Sequence, residues 1–449
     1  MNEEIMKTTL KDISPVKKKL SIEIDAQEVN KKLNQAYGEI RKKAKLPGFR
    51  PGKIPRKILE NYFGSQVIDD VTRELISDSF PKAVDEVKTF PLGQPILEKE
   101  PLKEGENFIY SATMEVRPEF EVKDYLGLEV EKEIFSVTDA DVQKRIEEIR
   151  ETSGKLASIE ADRPIEDGDY AIVDYEGFED GEPMEGIQSS NLLVKVGKHD
   201  FHPKFDEALI GLKKEDETEI MIDFEDDFYH TKLAGKSVNL KAKIVDIKTL
   251  ELPELNDEFA SNLGADLNDL ASLKDEIRKA LTTQEEKRID TELKQRLLEK
   301  IAEGIDFELP EVLVEAEIEF SIKRLKDNLE RSGSGLEKAG LSETGLTQEF
   351  RAASEKRVKH MLILDQIAKQ QEIGIEDDDL EEGYRDIAEN MGQDIETIKK
   401  YYEARGQIDS LKEEMLKEKT LNYLVDHAKV SEVAIETLAK DKGPEQEDK

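Results

Sequence analysis

Residues 38–57 read GEIRKKAKLPGFRPGKIPRK, and their centre, LPGFRPGKIP at 46–55, is where the fold is decided. Pro47-Gly48 cannot continue a helix, Pro51-Gly52 repeats the interruption, and Pro55 suits the first turn of a new helix. The segment therefore reads as helix, exposed loop, helix, with Phe49 at the loop tip between Arg50 and Lys53. Its basic residues are Arg41, Lys42, Lys43, Lys45, Arg50, Lys53, Arg56 and Lys57 against the single acid Glu39, a local charge of +7. A solvated basic helix end explains that charge, because cations at a helix C-terminus are ordinary. A loop tip that inserts an aromatic ring and pairs cations with phosphates is the other reading of that charge.

Outward from this loop the pattern is mixed. Residues 16–24 alternate Leu20, Ile22 and Ile24 as a half-buried strand, and a helix follows with Asp25 and Glu28 spaced as a capping box. Helices are expected from about Pro55 and again from about Ser65, and 107–116 alternates Phe108, Tyr110, Ala112, Met114 and Val116 as a strand. Residues 1–118 are thus an α+β domain. From Thr138 a short helix carries Val142, Ile146 and Ile149, within a 119–160 segment expected to pack with the C-terminal body. Short alternating runs separated by turns such as Glu179-Asp180-Gly181 make 161–249 a compact antiparallel β domain.

After Leu250 the strands cease. Leu270, Leu273, Ile277 and Leu281, then Ile289, Leu293, Leu297 and Ile301, keep helical spacing through one helix of about 35 residues, roughly 50 Å long. More helices follow at 311–330, 346–372, 378–391, 394–404 and 408–426, so 250–440 is an elongated helical domain and 441–449 a disordered acidic tail. The fold class is α+β, multidomain.

The whole chain of 449 residues carries −36, from 103 acids against 67 Lys and Arg, so all but the loop segment carries −43. A field of that sign excludes general DNA or RNA binding and leaves only a local basic patch for RNA contact. With no cysteine, thiolate catalysis, disulfides and cysteine-based metal sites are excluded. His199 and His202, with His230 nearby, lack a convincing third ligand, so no metal site is assigned. No phosphate-binding Gly-rich loop of the Walker type is present, so neither ATP nor another cofactor is expected. No secretory signal and no apolar run of membrane-spanning length occurs, which points to a cytoplasmic protein without membrane contact; both Met1 and Met6 stand open as the start.

Two motif sets carry a resemblance. Gly48-Phe49-Arg50-x-Gly52-Lys53-x-Pro55 after a basic helix is similar to the ribosome-docking loop of the bacterial trigger factor family, and the order of the remaining domains agrees over nearly the whole chain. The resemblance implies that Phe49, Arg50 and Lys53, with Arg41, Lys42, Lys43, Lys45, Gly48, Gly52 and Pro55, dock on ribosomal protein and RNA at the nascent-chain exit. Val173-Asp174-Tyr175-x-Gly177, Asp180-Gly181-Glu182-x-Met184-Glu185, Val196-Gly197 and Pro203-x-Phe205-Asp206-Glu207-Ala208-Leu209-Ile210-Gly211 resemble an FKBP-type prolyl isomerase domain. That resemblance implies a proline pocket lined by Tyr175, Phe205 and Phe228, with Met184, Leu192, Phe201, His202 and Leu240 at its other positions. Met184, Leu192 and Leu240 stand where aromatic residues are usual, and His202 replaces an aliphatic one. The expectation is isomerase activity that is weak or lost, with peptide binding partly kept.

The function these readings imply is an ATP-independent, ribosome-associated chaperone for nascent and unfolded polypeptides with auxiliary peptidyl-prolyl isomerase activity, dimeric off the ribosome by resemblance. Its helices would offer Leu313, Ile318, Phe320, Met361, Leu364, Tyr401, Met415 and Leu424 to unfolded segments, although each also suits a helical core. The alternative is an enzyme whose main task is prolyl isomerisation, with helices that present substrates.

Overall fold

In a computed structural model the described residues are 6–47, 49–50, 52–159, 163–198, 201–225, 233–264, 267–332, 334–336, 339 and 341–434. The chain divides into two compact units, one holding residues up to Leu128 with Arg296–Asn328 and Glu343–Ala428, the other Glu129–Gln295 with Leu329–Ser342 and the chain after Ala428.

In the first unit a four-stranded antiparallel sheet has the order β1 (Met6–Asp12), β2 (Lys17–Ile24), β4 (Phe108–Glu115), β3 (Ile96–Lys99). Leu20, Ile22, Ile24, Phe108, Tyr110 and Met114 bury one face in a core shared with helices α1 (Ala26–Lys43) and α2 (Arg56–Val87). Asp25 caps α1 through its side chain to the Gln27 N–H at 2.7 Å, but Glu28 pairs with Lys31 at 2.9 Å instead of closing a capping box. The two helices expected from Pro55 and Ser65 are one of 32 residues. Leu59, Val67, Val71 and Leu75 form one buried stripe that runs past Gly64, and its burial outweighs the ~1 kcal/mol a glycine costs a helix. Inside this core Tyr110 donates to the Ser79 hydroxyl at 2.7 Å, and Ser79 donates to the Leu75 carbonyl at 2.6 Å, so both buried hydroxyls are satisfied.

The same unit holds α7 (Glu311–Arg331) as far as Asn328, α8 (Glu343–Gln370), α9 (Asp377–Met391), α10 (Ile395–Arg405) and α11 (Ile408–Asp426). Tyr384, Ala388, Ile398 and Leu411 form a small core among the last three helices. Phe120 stacks on Phe307 with centroids 4.1 Å apart.

The second unit contains a five-stranded antiparallel sheet, β6 (Lys155–Ser158), β7 (Tyr170–Glu179), β8 (Glu182–Lys195), β9 (Glu217–Asp223) and β10 (Ser237–Glu251), with the short helix α4 (Pro203–Leu209) packed on it. The strand β10 is long enough to pair β7 on one side and both β9 and β6 on the other. Here β5 (Glu129–Ile134) pairs in parallel with β11 (Lys429–Ala434). Helix α3 (Asp139–Thr152) starts with a Thr138–Asp141 capping box and buries Val142 and Ile146 against α5 (Asp257–Leu263) and the beginning of α6 (Leu270–Glu303). At 34 residues α6 has about the length its periodicity implied. Among the described residues no helix is long and apolar enough to cross a membrane. The tail at 441–449 lies outside the described residues.

Candidate functional site

The candidate residues fall into two groups, the loop between α1 and α2 and an aromatic cluster in the β domain. The loop begins where α1 ends at Lys43, with the Ala44 N–H donating to the Ile40 carbonyl at 2.7 Å. It then folds back on the helix, and the Gly52 N–H donates to the Arg41 carbonyl at 3.0 Å, supplying one of the partners a helix C-terminus lacks. Gly52 has φ +78°, and a Cβ there would meet nothing within 4 Å, so the backbone conformation alone demands glycine. Further bonds run from the Phe49 N–H to the Leu46 carbonyl, 3.2 Å, and from the Lys53 N–H to the Arg50 carbonyl, 3.0 Å.

Ile54 is fully buried and anchors the loop to the core, while Phe49 remains 39% exposed. Arg41, Lys42, Lys43, Lys45, Arg50 and Lys53 are exposed. Lys43 lies 3.7 Å from Glu39, whereas Arg41, Lys42, Lys45, Arg50 and Lys53 have no carboxylate at ion-pair distance among the described residues. Pro55 is the N-cap of α2. Gly48 lies outside the described residues.

Arg56 behaves differently from its basic neighbours. Its Nε donates to Glu60 at 2.7 Å, Nη2 to Glu104 at 2.9 Å and Nη1 to Asn34, and its Cζ sits 4.4 Å from the centroid of the buried Tyr37 ring. Burial pushes the Tyr37 hydroxyl above its ordinary range and Glu60 adds to the shift, while Arg56 opposes it. Sequence reasoning counted Arg56 only as charge; the Arg56-x-x-x-Glu60 spacing, four residues apart on one helix, was the available signal.

In the β domain, Tyr175 on β7, Phe201 and Phe205 come together. Ring centroids are 6.0 Å apart for Tyr175–Phe201, 6.1 Å for Tyr175–Phe205 and 5.3 Å for Phe201–Phe205, the last two edge-on. Phe205 is fully buried, and Tyr175 and Phe201 are partly exposed. Pro203 opens α4, and the helix carries Phe205 on its inner face. His202 caps this helix, its Nδ1 accepting the Lys204 N–H at 3.1 Å. Burial, then the Lys204 charge, holds the imidazole below its ordinary pKa. A residue not anticipated from the sequence, Phe224, closes the cluster, 6.2 Å from Phe201 and 5.5 Å from His202. Its position at the end of the alternating ETEIMIDF strand, with Ile220 and Ile222 on the same buried face, was the signal.

Of the remaining expected pocket positions, Met184 and Leu192 are partly buried against the same core. Leu240 is fully buried between its register partners Gly177 and Ile220, so it packs the sheet beneath the cluster. Phe228 lies outside the described residues, as do His199 and His230. Among the described residues no three metal-ligating side chains converge. Gly177 has a steric reason, since a Cβ there would lie 2.5 Å from Ile187 Cγ2 and 3.2 Å from the Ile187 carbonyl oxygen. Asp206 is buried and accepts the Gly197 N–H at 3.0 Å, which ties two of the motif segments together.

The helical candidates separate. Ile318, Leu364 and Leu424 are core residues at 5% exposure or less, whereas Phe320 and Tyr401 are open to solvent at 59% and 47%. Leu313, Met361 and Met415 are intermediate. Met391, 60% exposed, was not among the candidates.

Residues 6–149 match a family model described as bacterial trigger factor protein, 269–426 match that of the trigger factor C-terminus, and 161–250 match FKBP-type peptidyl-prolyl cis-trans isomerase. The trigger factor of Geotalea daltonii is 36% identical over 436 residues, 97% of this chain and 100% of its own. That of Geotalea uraniireducens is 35% identical over 429 residues, 95% of this chain and 99% of its own. A solved structure from work on the trigger factor chaperone aligns over 94% of this chain and 99% of its own, at 22% identity and a TM-score of 0.48. With the domain matches in chain order and relatives above 30% identity along almost the full length, the chain belongs to the trigger factor family of chaperones and carries an FKBP-type peptidyl-prolyl isomerase domain.

Proposed function

We propose that this chaperone docks on the ribosome at the nascent-chain exit through the loop between α1 and α2, and acts in the cytoplasm without ATP. The observation that carries the reading is the loop itself. An exposed Phe49 and the cations Arg50 and Lys53, which have no ion-pair partner among the described residues, stand on a tip whose base is fixed by Ile54 and by the Gly52–Arg41 backbone bond. A pre-shaped tip loses little conformational entropy on docking, and its cations meet phosphate while the ring stacks or packs on the partner. The −43 carried by the rest of the chain confines this attraction to one place.

Nascent chain would be held by weak contacts with exposed apolar side chains such as Phe320, Met391 and Tyr401, surrounded by charge that keeps the surface hydrated. In the β domain, the partly exposed Tyr175 and Phe201 rings, backed by the buried Phe205 and Phe224, offer a dry wall to an X-Pro bond. The amide barrier of about 18–20 kcal/mol comes from resonance. An apolar wall favours the twisted, less polar amide and so lowers that barrier without a nucleophile or a metal.

The test is co-sedimentation of the full chain with ribosomes. Phe49→Ala, Arg50→Ala and Lys53→Ala together are expected to abolish it, and binding left intact by the triple variant would sink the docking reading.

A further inference from the structure

We propose that Arg56 is the positioning residue of the docking loop: it makes no contact with the partner and instead clamps the loop's exit to the body of the domain. The inference rests on the docking reading above and deepens it. Arg56 is the first residue of α2, three positions after Lys53, so whatever fixes Arg56 fixes the direction in which Lys53 and the tip leave the domain.

Three different elements hold it. Glu60 lies on its own helix, Asn34 and Tyr37 on α1, and Glu104 on the connection between β3 and β4. The side chains thus converge from both helices that flank the loop and from the sheet connection. That connection is itself tied to α1, because the Gly105 N–H donates to Asn30 Oδ1 at 2.9 Å.

The chemistry suits arginine alone. Nε and both terminal nitrogens donate to separate oxygens while the flat face lies over the Tyr37 ring, a set of contacts the compact lysine ammonium cannot make together. With two carboxylates on it, the guanidinium is also neutralised towards any phosphate. This separates it from Arg50 and Lys53, which have no such partner among the described residues. The +7 of the segment is therefore of two kinds, cations displayed for docking and one cation used internally.

The experiment measures binding of the full chain to isolated ribosomes across a series of KCl concentrations. Lys53→Ala, as a displayed cation, should weaken binding and reduce the slope of log affinity against log salt by about 1. Arg56→Ala should weaken binding about tenfold with that slope unchanged, since no phosphate contact is lost. Arg56→Lys should fail to rescue, although it keeps the charge. Glu104→Gln makes the surface one charge more positive, so simple electrostatics predicts tighter binding, whereas the clamp predicts weaker binding. Isomerase activity, carried by a different domain, should be the same in all four variants, and hydrogen exchange over residues 6–118 shows whether the α+β domain itself is folded in each. Normal affinity in Arg56→Ala, or full rescue by Arg56→Lys together with a reduced slope in Arg56→Ala, overturns the proposal. If Arg56→Ala unfolds the domain, Glu104→Gln decides alone. Unchanged binding by Lys53→Ala and by the triple loop variant would instead refute the docking reading on which the clamp rests.

Discussion

Phe49 stands 39% exposed at the tip of a loop, while Phe205 is wholly enclosed on the inner face of a short helix. Both are aromatic residues in motifs read from the sequence, yet they are held by different means. The loop is shaped from below, by a buried Ile54, a backbone bond from Gly52 and the contacts of Arg56, and its candidate docking side chains Phe49, Arg50 and Lys53 are exposed. In the β domain the candidate binding residues are also packing residues, since Phe205 touches Phe201 and Tyr175 and sits in the domain core. Stability and function should therefore separate in the first region and move together in the second.

The largest effect should come from Phe205→Ala. Removing a fully buried ring leaves a cavity, and the β domain should lose about 3–5 kcal/mol together with its isomerase activity. Hydrogen exchange of the full chain should show faster opening confined to about residues 165–250, with ribosome binding unaffected. Preserved protection in that region would break the contrast.

Two glycines sharpen it at intermediate size. Gly177 is surrounded, and alanine there would press on the branched Ile187 side chain and its carbonyl, costing about 1–3 kcal/mol in the β domain. Gly52 has open space around it but a positive φ, so alanine costs about 1–2 kcal/mol from the backbone alone. The loop can relax that strain by changing shape, so Gly52→Ala should reduce ribosome affinity more than it reduces unfolding stability in urea. The reverse order for Gly52→Ala would mean that the loop is built like the cluster.

His202 supplies a pH-dependent difference. Its imidazole is held low by burial and by Lys204, and its Nδ1 must be unprotonated to accept the Lys204 N–H. Near pH 7.5 it is neutral in both folded and unfolded chains and contributes no pH dependence. As pH falls below its ordinary value of 6.5, the unfolded chain takes up the proton first, so the β domain loses stability progressively until the folded imidazole also titrates. Urea unfolding at pH 7.5 and 5.5 should show this loss in the native chain and less of it in His202→Asn. The loop between α1 and α2 contains no histidine.

How much of this was legible in the sequence follows from the same distinction. Alternation along 16–24 and 107–116 marked strands because one face is buried and the other wet, and Leu20, Ile22, Phe108 and Tyr110 are indeed core residues. The 34-residue α6 was readable because its apolar stripe persists. The strands β1, β5 and β11 were not, since MKTTLKD, EVEKEI and KVSEVA are short and polar, and pair because of what lies beside them. The expected break near Ser65 does not occur, because the buried stripe from Leu59 to Leu75 runs past it. At the sites, the resemblance to an FKBP-type domain pointed to Tyr175, Phe201 and Phe205, which neighbour one another. Arg56 and Phe224 were missed because their importance lies in contacts distant in sequence, to Glu104 in one case and to Phe201 in the other.

The smallest expected effect on stability is also the most diagnostic. Phe49→Ala removes an exposed ring from a tip whose shape is fixed by other residues, so unfolding stability should change by no more than about 0.5 kcal/mol. Ribosome affinity should nevertheless fall, because the ring's contribution is realised only when the partner covers it. Measured side by side, urea unfolding and co-sedimentation of this one variant separate the two designs. A stability loss comparable to that of Phe205→Ala would show that Phe49 packs into its own domain, and the loop would then be a structural element whose charge is incidental.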